Sequence, residues 1–316
     1  MNGIDDLRSL KLAVLCGGTS SEREVSLASG RAVANALRGG RFELIELDPA
    51  TPLWWDKLEA IDLAFNMLHG PGGEDGAMQG LLASLGVAGT GSGILGSALA
   101  MDKRRSKELW RAIGLPTPDF RIVDARDQLD PLLDSWGGLF LKPVFEGSSI
   151  GVRRVATVDD IGPAWEEAAG CGGPLMAEAL VSGPEYTVAV LGQRSLPSIR
   201  ISAAETFYDY AAKYELDTTT YQVPSGLSAD QERSLGALAL EAFRALGCSV
   251  WGRVDVMASE SGDFQLLEVN TIPGMTDHSL VPKAAEAAGM SMLELLEEVI
   301  RLSLALAQAQ AQGGQS

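Results

Sequence analysis

Apolar residues along this chain recur both in short runs and in helical spacing, and the two patterns alternate over the N-terminal third. Short apolar runs predict strands at 11–16, 42–47 and 61–67, with helical spacing between and after them. Ser21, followed by Glu24, has the sequence of a capping box and predicts the start of the first helix. Strands that alternate with helices indicate a parallel sheet covered on both faces. The N-terminal third is therefore predicted to be an α/β unit.

Beyond this unit the pattern indicates a mixed α+β arrangement. Helical spacing over 97–113 ends at the sequence Leu-Pro-Thr-Pro of 115–118, which predicts a domain junction. Strands are then predicted at 120–123, 139–143, 152–155, 175–180 and 186–191, and helices at 157–169, 228–246 and from 291 onward. The stretch 206–224 is polar and aromatic without a clear period, which predicts a long loop.

The last strand pair, WGRVDVMASESGDFQLLEVNTIP at 251–273, carries the most chemistry. Side chains alternate between the faces of a strand, so Arg253 and Asp255 share one face, as do Glu268 and Asn270. Simple register across the turn places Arg253 near Glu268 with Asp255 diagonal to it. Carboxylates this close repel unless a cation lies between them, and so few oxygen donors suit Mg²⁺, which keeps waters and phosphate oxygens. The alternative is a solvated hairpin face with an ordinary ion pair.

The sequence KPVFEGSSIG at 142–151 is a second candidate site. Lys142 ends an apolar strand, and the glycine and serine residues after it could bind phosphates through backbone N–H groups and hydroxyls. This is not a Walker motif, because no lysine follows the second glycine. The alternative is a hairpin turn that simply needs small residues.

Three further segments carry polar residues with open interpretations. Residues 178–181, followed by Glu185, suit an adenine slot and a ribose-binding carboxylate, although an exposed glutamate at a strand end is the commoner pattern. His69 and His278 lie in glycine-rich or polar loops rather than on an apolar face, which disfavours a purely structural core histidine. The aromatic stretch 206–224 suits a lid over a ligand, or a loop packed on its own domain.

Composition restricts the class of protein. The net charge of −17 disfavours nucleic acid and anionic membranes as partners. No apolar run approaches the ~20 residues that span a bilayer, and the N-terminal sequence MNGIDDLRSLK lacks the pattern of a secretory signal. Cys16, Cys171 and Cys248 are odd in number and scattered, which fits neither a disulfide framework nor a zinc site. A cytoplasmic protein is expected.

Taken together, these segments resemble the D-alanine–D-alanine ligases of the ATP-grasp superfamily. The resemblance is carried by GGTSSEREVSL, HGPGGEDGAMQG, GTGSG, MDKRRSK, KPVFEGSSIGV, SGPEYTVAV, FYDYAAKY, WGRVDVM, LLEVNTIPGMT and HSLVP, and it runs from the first strand to the last helix. It implies a three-domain ATP-grasp architecture: 1–98 as an N-terminal parallel-sheet, Rossmann-like domain, 99–185 as a central subdomain, and 186–316 as a C-terminal subdomain with a lid at 206–224. It further implies ligation of two D-alanines with ATP through an acyl phosphate, for peptidoglycan, in a homodimer.

The resemblance also assigns roles at the nucleotide. Four positions would hold the ATP phosphates: Lys103, Lys142, Ser148 and Ser149. Five would line the adenine and ribose: Glu178, Ala179, Leu180, Val181 and Glu185. Three would ligate two Mg²⁺ ions, which Mn²⁺ could replace: Asp255, Glu268 and Asn270. The chain departs from several relatives in carrying Ala179 where they have a lysine.

Roles at the amino acid substrates follow in the same way. Glu22, in a hydrogen-bonded set with Ser148 and Tyr214, would anchor the ammonium of the first D-alanine, with His69 close by. Arg253 and the backbone N–H of Gly274 would stabilise the oxyanion. The second carboxylate would be held by Lys213, Ser279 and Leu280.

Three other functions compete with this one. A related ATP-grasp ligase could make D-alanyl-D-lactate, although Tyr214 favours the dipeptide by resemblance. A dinucleotide-dependent oxidoreductase is disfavoured, because GGTSSER lacks the G-x-G-x-x-G pattern. A nucleotide-binding module without catalysis is disfavoured by the presence of every residue expected at the metal and the oxyanion.

Overall fold

The computed structural model describes residues 7–202 and 220–313, and it begins with the parallel sheet that the sequence predicts. The strand order is β2-β1-β3-β4, with every neighbouring pair parallel. Its elements are β1 (Lys11–Leu15), α1 (Arg23–Gly39), β2 (Glu43–Leu47), a 3₁₀ turn (Trp54–Ala60), β3 (Leu63–Asn66), α2 (Ala77–Leu85) and β4 (Ala88–Gly89). Strands β1 and β3 are fully buried apart from the first residue of β1, as expected for a sheet covered on both faces.

The start of α1 differs from the prediction. Its N-cap is Glu22, and the Glu22 side chain makes no capping hydrogen bond. The capping box predicted at Ser21 and Glu24 is therefore wrong. The Glu22 carboxylate instead accepts a hydrogen bond from Ser148, a residue far along the chain that local sequence rules cannot identify.

Two helices, rather than one, connect the first sheet to the second. They are α3 (Ile94–Met101) and α4 (Lys103–Ala112), and the chain is extended between them at Asp102. The Asp102 side chain caps α4 by accepting a hydrogen bond from the N–H of Arg105 at 2.9 Å. The single helix predicted over 97–113 is thus broken at a residue that serves as an N-cap.

The second sheet is antiparallel, with the order β5-β8-β6-β7. Its elements are β5 (Phe120–Val123), a 3₁₀ turn (Arg126–Gln128), α5 (Leu129–Trp136), β6 (Leu139–Pro143), β7 (Arg153–Val155), α6 (Val158–Gly170) and β8 (Leu175–Ala179). A capping box between Thr157 and Asp160 begins α6. Both helices pack on this sheet around a core that includes Leu141 and Ala164.

The third sheet is also antiparallel and has the order β12-β11-β9-β13-β14, with β10 beside β9. Its elements are β9 (Glu185–Leu191), β10 (Arg194–Ser195), β11 (Ile199–Ser202), β12 (Thr220–Gln222), α7 (Ala229–Ala245), β13 (Trp251–Ala258) and β14 (Phe264–Asn270). Because 220–222 is a strand, the loop predicted over 206–224 is corrected at its C-terminal end. The rest of the lid prediction, with Lys213 and Tyr214, lies outside the described residues.

The chain ends with α8 (Leu280–Ala287) and α9 (Met292–Gly313), which return to the first sheet. One apolar core contains residues of β1, β3, α1, α9 and the third sheet, and the rings of Phe65 and Trp251 lie 6.2 Å apart in it. This shared core brings the N-terminal loops next to the β13–β14 hairpin. No helix among residues 7–202 and 220–313 is long and apolar enough to cross a membrane.

Candidate active site

Two adjoining cavities contain every predicted site residue that the structure describes. The large cleft, about 660 Å³, lies between the second and third sheets and is lined by Lys142, Ser149, Glu178, Ala179, Leu180, Val181, Glu185 and Asp255. The small chamber, about 150 Å³, is lined by Glu22, His69, Ser148, Arg253, Asn270, Gly274, Ser279 and Leu280. Three residues line both cavities: Lys103, Glu146 and Glu268.

Lysine side chains supply positive charge in the large cleft. Lys142 forms an ion pair with Glu178, and Lys103 lies 3.2 Å from Glu268 and donates to the Glu146 carbonyl at 2.6 Å. Glu178 itself is only 1% exposed, so an exposed glutamate at a strand end is the wrong interpretation for this residue. Burial opposes its ionisation, but the neighbouring lysines outweigh that cost and hold the pKa of Glu178 below its usual value.

Lys107 is a charged residue of this region that the sequence analysis missed. Its ammonium lies 2.6 Å from Glu178 Oε2, and the side chain is fully buried. Burial lowers the pKa of Lys107 to about 8, which still leaves it largely protonated at neutral pH. The available signal was its place in MDKRRSK, four residues after Lys103 and so on the same face of a helix.

The turn after β6 is pressed against Glu22. Ser148 and Ser149 have φ values of 49° and 60°, in the left-handed region that costs a non-glycine residue about 1 kcal/mol or more. The Ser148 hydroxyl donates to Glu22 Oε1. A Cβ on Gly147 would lie 2.6 Å from Glu22 Oε2, so a side chain at this position would displace the turn or the Glu22 carboxylate. The segment is a hairpin turn between β6 and β7, as the alternative interpretation proposed. It also contacts Glu22, which lies at the start of α1.

The β13–β14 hairpin keeps the predicted face and changes the predicted register. Asp255 lies directly opposite Glu268, and Arg253 lies opposite Asn270, so the expected pairing of Arg253 with Glu268 is wrong. The register shifts between Asp255 and Val256, where β14 contributes an extra residue. A bulge of this kind cannot be counted from the turn sequence alone.

Asp255 is held in a fixed orientation. The Arg253 guanidinium contacts its carboxylate through Nε at 2.9 Å and through a terminal nitrogen at 2.7 Å. Thr187 also donates to Asp255 Oδ1 at 2.6 Å. Asp255 is 5% exposed and lies on the wall of the large cleft. Its bidentate contact with Arg253 already places one positive charge beside the carboxylate.

The three predicted metal donors fit Mg²⁺ by chemistry and by placement. Asp255 and Glu268 are cross-strand partners, and Asn270 lies on the same face of β14 as Glu268. Within 7–202 and 220–313 no group of three or more His, Cys, Asp or Glu residues is arranged to hold a metal, and the predicted set here is two carboxylates and one amide. Mg²⁺ prefers such a site, where phosphate and water complete the coordination.

The small chamber buries a histidine and a second carboxylate. His69 is 4% exposed and its Nδ1 lies 2.9 Å from the Met67 carbonyl, while Nε2 has no hydrogen-bond partner among the described residues. Burial lowers the pKa of His69 to about 4, so the ring is neutral. Glu74, which the sequence analysis missed inside HGPGGEDG, has its pKa raised to about 8 by burial and by the charge of Glu22.

The far wall of the small chamber comes from the segment before α8. Ser279 is the N-cap of α8, and its hydroxyl accepts a hydrogen bond from the Thr276 N–H at 2.9 Å. Leu280 is the first residue of the helix, so its N–H belongs to the positive end of the helix dipole. A Cβ on Gly274 would lie 2.9 Å from Ser279 Oγ, so a side chain at this position would crowd the N-cap of α8.

An antiparallel sheet on either side of a cleft, with lysines and paired carboxylates between them, is the arrangement of the ATP-grasp ligases. A family model described as the D-ala D-ala ligase C-terminus matches residues 109–301. A D-alanine–D-alanine ligase of Methylococcus capsulatus is 48% identical, over 93% of this chain and 96% of its own length. One of Psychrobacter sp. is 46% identical, over 93% and 89%. The chain belongs to the D-alanine–D-alanine ligase family.

Solved structures are similar over nearly the whole chain. The D-alanine–D-alanine ligase of Bacillus anthracis in complex with ATP has a TM-score of 0.83 and 32% identity, covering 95% of this chain and 99% of that one. The VanG D-Ala:D-Ser ligase of Enterococcus faecalis has a TM-score of 0.80 and 29% identity, covering 93% and 99%. The expected fold class, α/β with an ATP-grasp architecture, is confirmed.

Proposed function

We propose that this ligase joins two D-alanine molecules into D-alanyl-D-alanine at the expense of ATP, for peptidoglycan synthesis. One observation carries the proposal: the large cleft and the small chamber share a wall made of Lys103, Glu146 and Glu268. The two cavities meet at these three residues, so a phosphoryl group bound in the large cleft would lie next to a carboxylate bound in the small chamber. Two separate cavities would not allow this reaction.

The large cleft is suited to ATP. Residues 179–181 at the end of β8 provide an adenine slot with Glu185 at its far end, and Glu178 lies buried below it. Lys142, Lys103 and the turn around Ser149 face the position of the phosphates. When bound, the Mg²⁺ ions held by Asp255, Glu268 and Asn270 would neutralise charge on those phosphates.

The first step activates a poor acyl donor. The carboxylate of the first D-alanine attacks the γ-phosphorus, the bond to the bridging oxygen breaks, and ADP leaves with that electron pair. Glu22 binds the ammonium of this D-alanine, with Ser148 fixing the Glu22 carboxylate and neutral His69 nearby. Catalysis of this step depends on position and on charge neutralisation, and needs no protein nucleophile.

The second step forms the peptide bond. The amine of the second D-alanine, after losing a proton, attacks the acyl carbon, and inorganic phosphate leaves. Arg253 and the backbone N–H of Gly274, which both line the small chamber, would stabilise the tetrahedral oxyanion. The carboxylate of the second D-alanine is held at the start of α8 by Ser279 and Leu280, together with Lys213.

Several further features belong to the same proposal. A lid over 206–219, which would include Lys213 and Tyr214, would exclude water from the acyl phosphate. The domains divide at 1–98, 99–185 and 186–316, so that each contains one of the three sheets apart from the first residue of β9. The enzyme acts in the cytoplasm, where ATP is supplied, and as a homodimer.

Phosphate release and product identification test this proposal. Purified enzyme with ATP and Mg²⁺ is given D-alanine, L-alanine, D-lactate with D-alanine, or D-serine with D-alanine. The expected result is phosphate release in every mixture that contains D-alanine and none with L-alanine, with D-alanyl-D-alanine as the main product by mass spectrometry. A preference for D-serine or D-lactate as the second substrate would replace the dipeptide assignment, and absence of turnover with all four would indicate a binding module.

A further inference from the structure

A buried lysine lies behind the large cleft and takes no part in the steps above. The Lys107 ammonium is 2.6 Å from Glu178 Oε2 and 2.6 Å from Thr117 Oγ1, and it lies 3.3 Å from the Leu266 carbonyl. Thr117 in turn donates to the same carbonyl at 2.7 Å. One ammonium therefore joins α4 to β8, to the segment 115–118 and to β14.

Glu178 divides its two oxygens between two lysines. Oε1 accepts a hydrogen bond from Lys142, and Oε2 faces Lys107. The Lys142 side chain is 13% exposed and lines the large cleft, whereas the side chains of Lys107 and Glu178 are 1% and 2% exposed. Of the two lysines, Lys142 is therefore the one that can reach a bound phosphate.

Binding a phosphate draws Lys142 away from a buried carboxylate. A buried carboxylate that loses its cation carries a large desolvation penalty, or takes up a proton instead. The Lys107 ammonium stays beside Glu178 because it is buried and tied to Thr117 and Leu266. It can compensate the charge of Glu178 when Lys142 turns toward the nucleotide.

We propose that Lys107 is a positioning residue for ATP, which keeps Glu178 ionised and in place so that Lys142 is free to bind the phosphates. The inference rests on the proposed use of ATP. It adds Lys107, which lies behind the wall of the large cleft, to the residues that prepare the ATP site.

Among residues 7–202 and 220–313, the charges that act on Glu178 are those of two lysines, so the loss of one should measurably change ATP binding. Lys107 faces it from α4 and Lys142 from β6, and these two dominate its electrostatics. On β5 the cross-strand neighbour of Glu178 is the uncharged Phe120. The negative charge of Glu268 on β14 acts on Lys107 and favours its protonated form. Removal of Lys107 leaves Lys142 as the cation beside a buried carboxylate.

Direct binding of ATP tests the proposal without any turnover. Isothermal titration calorimetry of the full chain with ATP and Mg²⁺, in the absence of D-alanine, compares wild type with Lys107→Met. We expect ATP to bind about tenfold more weakly to the variant at pH 7, the usual loss for a charged hydrogen-bond partner. The variant should also take up more protons on binding than wild type, measured in buffers of different ionisation enthalpy, because Glu178 becomes protonated as Lys142 leaves. A purely structural defect would not change proton uptake.

Two further variants make the test specific. Arg111→Met removes one exposed positive charge from the same helix and should bind ATP as wild type does. Lys107→Met combined with Glu178→Gln removes the buried charge together with its cation, and should bind ATP more tightly than Lys107→Met alone. If Lys107→Met does not fold, Glu178→Gln is compared with the double variant, and equal ATP affinity is expected, because Lys107 then has no carboxylate to hold.

The possible failures are distinguishable. If wild type binds ATP and Lys107→Met binds it equally well with the same proton uptake, the role of Lys107 is wrong while the proposed function stands. The same holds if the double variant binds no better than Lys107→Met, or tenfold worse than Glu178→Gln. If wild type binds no ATP, the proposed function fails and the role of Lys107 fails with it.

Discussion

Ser148 donates a hydrogen bond to Glu22 across 126 positions of the chain, and this contact connects the turn of the second sheet to the first helix. Glu22 is 3% exposed, so water solvates its carboxylate poorly. The contact closes the small chamber at the position proposed for the substrate ammonium.

Replacement of Glu22 by glutamine tests that position. Glu22→Gln keeps the size of the side chain and removes the charge that pairs with an ammonium. We expect the KM for D-alanine to rise about tenfold or more, the usual loss for a charged hydrogen bond, with little change in the KM for ATP. Steady-state phosphate release measures both constants. Glu24→Gln, one exposed residue of the same helix, is the control, and equal effects in the two variants would contradict the assignment.

Substitution of Gly147 gives an independent test of the contact between Ser148 and Glu22. A Cβ at this position would lie 2.6 Å from Glu22 Oε2, so Gly147→Ala should push the turn away from Glu22. We expect kcat/KM for D-alanine to fall about tenfold while the circular dichroism spectrum stays unchanged. Gly170→Ala adds the same methyl group where no atom lies within 4 Å, and should behave as wild type. Full activity of Gly147→Ala would show that the turn is free to move.

Asp255 joins the proposed metal site to the proposed oxyanion donor. Asp255→Asn weakens the bidentate contact with Arg253 and removes one charged metal donor. We expect kcat/KM to fall about 100-fold and the Mg²⁺ concentration for half-maximal rate to increase. A Mg²⁺ titration of phosphate release measures the shift. Glu260→Gln, which removes an exposed charge at the tip of the same hairpin, is the control. An unchanged Mg²⁺ dependence in Asp255→Asn would remove Asp255 from the metal site.

Glu74 makes stability depend on pH. Its pKa is raised from 4.5 to about 8 in the folded state, so the folded protein binds a proton that the unfolded chain releases. The free energy of unfolding should therefore decrease as the pH rises through this window, and the penalty should be complete above about pH 8. Glu74→Gln removes the penalty, so it should stabilise the protein by a few kcal/mol more at pH 8 than at pH 5.

Urea denaturation of both proteins at the two pH values measures this difference. The comparison with wild type cancels other titrating groups such as His69, whose depressed pKa lowers stability as the pH falls below 6.5. Glu59→Gln, an exposed substitution, should shift stability equally at both pH values. A constant offset for Glu74→Gln would mean that Glu74 is ionised in the folded protein at pH 5.

The sequence predicted most elements and their faces well. Strands such as β1 and β8 came from apolar runs, and Glu268 and Asn270 share a face because side chains alternate along any strand. The prediction of one helix over 97–113 was wrong at Asp102, which is extended and caps α4. The apolar spacing continues through this residue, so it does not show the interruption. The capping box at Ser21 was wrong because α1 begins at Arg23, so the N-cap is Glu22 and not Ser21.

The motifs by themselves predicted residues that line the two cavities, since each motif is a local pattern of chemistry and spacing. Only the tertiary structure decided that Asp255 faces Glu268, that Lys107 supports Glu178 and that Glu74 is buried beside Glu22. Register, desolvation and ion pairing depend on atoms far apart in the chain, and packing alone brings them together.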